Sequence, residues 1–173
     1  VGEVMAFGRT FQESLQKALR GQETGVTGLN ELTTSIDSDA ERDALRNELR
    51  MPGPQRLQYV ADAMRLGFSV EDVAKVTGID RWFLAQLSDL LLTETEIREG
   101  GLLEMDEFSM RMAKRKGFSD ARIAELAGER EQEVRQRRLK FDVRPVYKRV
   151  DTCAAEFSTD TAYLYSTYED ECE

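Results

Sequence analysis

Residues 146–157 read VYKRVDTCAAEF and place one cysteine, two carboxylates, two cations and a tyrosine within twelve positions. Cys153 follows Lys148 and Arg149, and nearby cations favour the thiolate that makes a cysteine a nucleophile. Cysteine catalysis also needs a base, and the chain contains no histidine. The same absence removes Ser-His and Cys-His pairs, most zinc sites and imidazole acid–base work. The remaining carboxylates fall mostly at helix starts and on charged helix faces. A catalytic pair instead needs a cleft that shifts its pKa values. No glycine-rich phosphate loop is present, since VMAFGRTF holds a single glycine. The reading is therefore no catalytic residue, no cofactor-binding residue and no metal ligand in this chain.

A binding chemistry is suggested by VEDVAKVTGIDRWFLAQL. A short helix, a glycine turn and a second helix have the spacing of a helix-turn-helix. A DNA reader places polar and cationic side chains at the start of the second helix. Here that helix opens with Asp80, Arg81, Trp82, Phe83 and Leu84, with Asp89, Glu94 and Glu96 beyond. Apolar bulk and carboxylates suit helix packing better than a DNA groove. Farther along, Arg130, Arg135, Arg137, Arg138 and Lys140 follow a similar turn and are more basic. A helix-turn-helix DNA-binding protein is thus the alternative to a packing unit. In the same run, Phe83, Leu87, Leu90 and Leu91 share a helical face, with Trp82 to one side. They are either ordinary core or, with Trp82, a surface turned to another subunit.

Charge is unevenly placed. The net charge is −9, and positions 151–173 hold seven acids and no Lys or Arg. Positions 111–149 hold thirteen Lys/Arg against six Asp/Glu. The two neighbours in sequence either neutralise each other or form a patch for a partner. Cys153 and Cys172 are most simply free thiols, with a disulfide between them as the alternative. No apolar run approaches the roughly 20 residues of a membrane span. No signal peptide is visible, so the expected compartment is the cytoplasm. The first residue, Val1, falls inside what reads as ordinary structure, as expected of a piece of a longer protein.

Punctuation by caps and glycines sets out the elements. Thr10 with Glu13 and Ser38 with Glu41 have capping-box spacing, opening FQESLQKALR and ERDALRNELR. Residues 22–36 are rich in Gly and Thr and read as loop. Pro54 suits the first turn of QRLQYVADAMRL. Ser69 opens VEDVAKVT, Asp80 opens a long helix that stops at Gly100 and Gly101, and MDEFSMRMAKRK comes next. Ser119 opens DARIAELA, and a last helix covers 131–140. From Phe141 the pattern becomes extended, with VRPVYKRV and TAYLYSTY reading as strand-like. RLGFSVEDVAKVTGI at 65–79 lines up with RKGFSDARIAELAGE at 115–129, a shift of 50 residues. Two copies do not make a solenoid, but they predict a duplicated helical unit. The expected fold is mainly α: a compact bundle of short helices with a duplicated helix-turn-helix-like unit and an extended C-terminal segment.

Three stretches carry a resemblance: VGEVMAFGRTFQESLQKALRG, IDRWFLAQL and RPVYKRVDTCAAEFSTDTAYLYSTYEDE. In order, and across essentially the whole chain, they resemble the large subunit of carbamoyl-phosphate synthetase. The resemblance implies the helical oligomerisation domain between the family's two ATP-using halves. It places the last helix of the carboxyphosphate-forming half at 1–21, the oligomerisation domain at 22–140, and a connector toward the carbamoyl-phosphate-forming half at 141–173. It implies a parent that makes carbamoyl phosphate from bicarbonate, ATP and glutamine-derived ammonia, for arginine and pyrimidine synthesis. That parent uses ATP with magnesium or manganese, and potassium, all bound in the flanking halves. The implied partners are those two halves, a glutaminase small subunit and a second copy, with neither nucleic acid nor membrane. On this reading VYKRVDTCAAEF is a connector. Lys148, Arg149, Asp151 and Glu156 are then expected in buried or partly buried ion pairs, and Tyr147 and Phe157 as packing anchors. The candidate interface is Trp82, Phe83, Leu87, Leu90 and Leu91.

Overall fold

Helix starts are fixed by side chains that accept from exposed backbone amides. Thr10 Oγ1 accepts from Glu13 N at 3.1 Å, and Ser38 Oγ accepts from Glu41 N at 3.3 Å. Ser69 and Ser119 do the same for Asp72 N and Arg122 N. The computed structural model describes residues 3–150, 156–157 and 163–170. Among these, the order is α1 (Phe11–Gly21), α2 (Asp39–Arg50), α3 (Arg56–Arg65), α4 (Val70–Thr77), α5 (Arg81–Glu104), α6 (Glu107–Arg115), α7 (Asp120–Ala127), α8 (Glu131–Lys140), β1 (Val146–Arg149) and β2 (Leu164–Thr167). The chain is mainly helical, as the sequence predicts.

Two boundaries differ in detail. Pro54 sits in a turn just before α3, where Arg56 N donates to Gly53 O at 3.2 Å. The helix proper of α5 ends where the glycines predict, because Gly101 leaves helical space at φ 63°, ψ −179°. One further turn follows to Glu104.

The duplication is structural as well as sequential. Gly67 and Gly117 turn the chain at φ +90° and +93°, a conformation open to glycine and strained for other residues. Phe68 N then donates to Ala63 O, and Phe118 N to Ala113 O. Gly78 and Gly128 end α4 and α7 in the left-handed conformation. Thus α3–α4–α5 and α6–α7–α8 are two copies of one unit, and Phe68 and Phe118 both point into the core. The core runs through Val60, Val73, Leu84, Leu87, Leu90, Met110, Ile123 and Val134.

β1 and β2 pair antiparallel, with Val146 opposite Thr167 and Arg149 opposite Leu164. Val143, fully buried, is the last core residue before this ribbon. Arg138 Nη1 donates to its carbonyl at 2.8 Å.

Candidate interaction surface

Within this segment most of the described connector residues are exposed. Tyr147 is 52% and Phe157 71% exposed. Arg149 and Glu156 are also exposed, and Lys148 is half-buried. Asp151 lies outside the described residues. The expected burial lies at a seam between two flanking halves, so what this segment shows is only that, of the connector residues described, Lys148 is partly buried within it. β1 belongs to a two-stranded ribbon at the bundle's edge, so alternate side chains face solvent.

Other residues anchor the C-terminal segment, and they converge on α1. Glu13 is almost fully buried. Its Oε2 accepts from Thr167 Oγ1 at 3.1 Å and from Arg9 N at 2.7 Å. Lys17 Nζ pairs with Glu13 Oε1 at 2.7 Å and donates to the carbonyls of Phe7 and Ser166. Val4 lies against Gly21 at the far end of α1. The lead-in residues 4–9 therefore run antiparallel along α1, and β2 lies beside them. The Phe7 and Tyr165 rings lie tilted to each other with centroids 6.4 Å apart, and Arg9 pairs with Glu169 at 3.1 Å.

Tyr168 closes a charged cluster. Lys114 Nζ lies 5.0 Å from its ring centroid and the Arg138 guanidinium 5.8 Å. Lys114 and Arg138 both grip Asp120, at 2.8 and 2.9 Å. Burial pulls the Lys114 ammonium down to about 8, against the pull of Asp120. Burial pushes the Asp120 carboxyl up, but Arg138 and Lys114 hold it below its ordinary value. Burial raises the Tyr168 phenol. Arg115 donates to Tyr168 O at 2.9 Å and pairs with Asp170 at 3.0 Å. At Arg115 and Asp170, then, the basic stretch and the acidic tail do neutralise each other.

A second buried network pins the loop at 22–37. Glu94, fully buried on α5, accepts from Arg65 at 2.6 Å and from Arg122 at 2.8 and 3.1 Å. Both guanidiniums also donate to Leu29 O. Asp62 accepts from the amides of Leu32 and Thr33, each at 2.8 Å. Burial pushes the Glu31 carboxyl up, yet Arg122, Arg65 and Arg98 together hold it low.

The apolar run on α5 divides. Leu87, Leu90 and Leu91 are buried, while Trp82 is 54% and Phe83 43% exposed. The expected interface is corrected accordingly: the inward stripe begins at Leu84, not Phe83, so the three leucines belong to the core. Phe11 of α1 joins Trp82 and Phe83 in edge-on and tilted contacts with centroids 5.5 and 5.1 Å away. Trp82 and Phe83 themselves lie edge to face at 5.0 Å. A cavity of about 390 Å³ opens separately between α5 and α6, lined by Ile97, Met105, Phe108 and Met112.

Among the cations singled out in the two helix-turn-helix units, the arginines are engaged within the chain, and Lys140 is exposed. Arg81 is held by both Glu71 oxygens at 2.6 and 2.8 Å. Beyond the second turn, Arg130 pairs with Glu133, Arg135 with Glu131 and Arg138 with Asp120. Arg137 donates to the carbonyls of Leu103 and Met105.

Residues 3–142 match the family model for the carbamoyl-phosphate synthetase large chain, oligomerisation domain. The chain belongs to this family. Among curated relatives it is 58% identical to the carbamoyl phosphate synthase large chain of Xanthomonas campestris pv. campestris. It is 57% identical to that of Halomonas eurihalina and 54% to that of Neisseria meningitidis serogroup A. Each comparison covers all 173 residues of this chain and 16% of the relative. The matched domain takes in all eight helices described and stops before β1. No helix among the described residues is long and apolar enough to cross a membrane.

Proposed function

We propose that this segment joins the two ATP-using halves of a glutamine-dependent carbamoyl-phosphate synthetase large chain, supplies it with an assembly surface, and does no chemistry itself. The observation that supports this most is the meeting of lead-in and exit on α1. Residues 4–9 and β2 lie side by side there, tied through Glu13, Lys17 and Arg9. Ends tied to one helix hold a fixed separation and orientation for whatever is attached to each.

The parent enzyme would make carbamoyl phosphate from bicarbonate, ATP and ammonia released from glutamine by a small subunit, in the cytoplasm, for arginine and pyrimidine synthesis. ATP, magnesium or manganese, and potassium would bind in the flanking halves. Among the described residues no three His, Cys, Asp or Glu converge as a metal site. The buried carboxylates Glu94, Asp62 and Asp120 are taken up by arginines and a lysine.

A chimera tests the proposal. Residues 1–173 replace the matching stretch of the Xanthomonas campestris large chain, which is then assayed with its small subunit. Glutamine-dependent carbamoyl phosphate formation and an unchanged sedimenting mass are expected. A soluble chimera that has lost synthesis while keeping each half's partial ATP reaction would refute the joining role.

A further inference from the structure

From the break in α5 we infer that the cavity between α5 and α6 is a binding site for a small apolar amine. At about 390 Å³ it has the size of small-molecule sites, which run from about 300 to 1,000 Å³. It opens where the helix proper of α5 stops. Gly101 takes φ 63°, ψ −179°, a backbone region that side chains essentially exclude. Gly100 and Gly101 leave part of the wall without side chains, and Ile97, Met105, Phe108 and Met112 line it with apolar groups. Ile97 and Met105 are buried in the core, whereas Phe108 is exposed at the lip. Methionines adapt their shape to a guest and pack well against aromatic rings.

The charge of the ligand follows from which lining groups are already paired. Glu96, Glu104 and Lys116 are the charged residues of the lining. Lys116 Nζ is committed to Asp89 at 2.8 Å and to Thr93 Oγ1 at 2.9 Å. The carboxylates of Glu96 and Glu104, both exposed, have no hydrogen bond or ion pair among the described residues. Glu96 precedes the break and Glu104 follows it. The Glu104 stem lies over Gly100, where an added Cβ would stand 3.3 Å from Glu104 Cβ. The lining therefore offers two unengaged acceptors to a cation and no unengaged cation to an anion. Complementary charge of this kind selects the ligand, while apolar contact supplies most of the hold. A bare metal ion would make no use of the apolar lining, and a carboxylic acid would meet two like charges. An aromatic or branched-alkyl primary amine satisfies both parts of the site.

The test is a titration of a full-length large chain carrying this segment, labelled at its methionine methyl groups and read by NMR. Single substitutions to leucine assign the Met105 and Met112 signals, and the exposed Met5 and Met51 serve as references. Phenethylamine is expected to shift the Met105 and Met112 methyls saturably, with a Kd on the order of 1 mM, while Met5 and Met51 stay in place. Phenethyl alcohol, the same body without the charge, is expected to bind about fivefold more weakly, the size of an exposed ion pair. Hydrocinnamate, the anionic counterpart, is expected to bind more weakly still. Glu96→Gln combined with Glu104→Gln, both at exposed positions, is expected to bring amine and alcohol level. Equal affinity for all three probes in the unaltered chain would overturn the inference, leaving an apolar crevice with no choice of charge. Unmoved Met105 and Met112 signals would overturn it too, and shielding of Phe108 from radical labelling in that case would assign the cavity to another part of the protein. Neither result touches the joining role, which stands or falls on carbamoyl phosphate formation by the chimera.

Discussion

Glu94→Gln is the sharpest probe of how the loop at 22–37 is held. The wild-type carboxylate is almost wholly enclosed and accepts three charged hydrogen bonds, one from Arg65 and two from Arg122. Glutamine keeps the shape but removes the negative charge between two guanidiniums whose side chains are 15% and 3% exposed. Breaking a buried pair by removing one partner costs about 3–5 kcal/mol. Here the cations retain other acceptors: Asp62 at 2.8 Å for Arg65, and Glu31 and Glu125, each at 3.3 Å, for Arg122. The expected loss is therefore at the low end, about 3 kcal/mol. For a chain of this size that is roughly 6–12 °C in Tm. Urea unfolding at neutral pH, followed by helical circular dichroism, measures it. A cycle with Arg122→Met should return a coupling of about 1–3 kcal/mol. A loss below about 1 kcal/mol would be the size of a solvated surface pair. That result would refute the claim that this network is buried and holds the loop.

The two copies of the glycine turn offer an internal comparison. Gly67→Ala meets only the strain of positive φ, with no atom within 4 Å of the new Cβ, and should cost about 1–3 kcal/mol. Gly117→Ala adds a Cβ 2.9 Å from Glu13 Cα and 3.1 Å from its carbonyl oxygen. It should cost clearly more and loosen α1, read as faster amide exchange at Glu13 and Gln16. Equal costs would mean that α1 does not press on this turn. Lys114 makes a pH prediction. Its folded pKa is depressed to about 8, against about 10.4 in the unfolded chain. Between those values the unfolded state binds more protons, so the Lys114 contribution makes stability rise with pH across that window. Lys114→Met should remove this upward slope in chemical denaturation curves collected at successive pH values. An unchanged slope would show that the ammonium is solvated.

Most of the helix boundaries were legible in the sequence because they depend on residues a few positions apart. Thr10 to Glu13, Ser69 to Asp72 and Ser119 to Arg122 are local hydrogen bonds. The Gly67/Gly117 and Gly78/Gly128 pairs fix backbone conformations that the sequence spells twice. The repeat and the family resemblance were readable for the same reason. Where a helix faces is settled across the fold. Phe83 and Leu84 are neighbours of similar hydrophobicity, and only packing against the other helices decided that Leu84 turns inward and Phe83 outward. Glu94 and Arg122 are 28 residues apart, and Glu13 and Thr167 are 154 apart. No local pattern links such pairs, because each partner is ordinary on its own helix or strand. Tyr168 looked like one more residue of an extended tail until the fold set it over Lys114 and Arg138. Thr167, Tyr168 and Glu169 tie the C-terminal segment to the bundle through partners more than fifty residues away, which no local pattern marks. Short-range hydrogen bonding and backbone sterics are written in the order of residues. Burial and ion pairing between distant segments exist only once the tertiary structure brings those segments together.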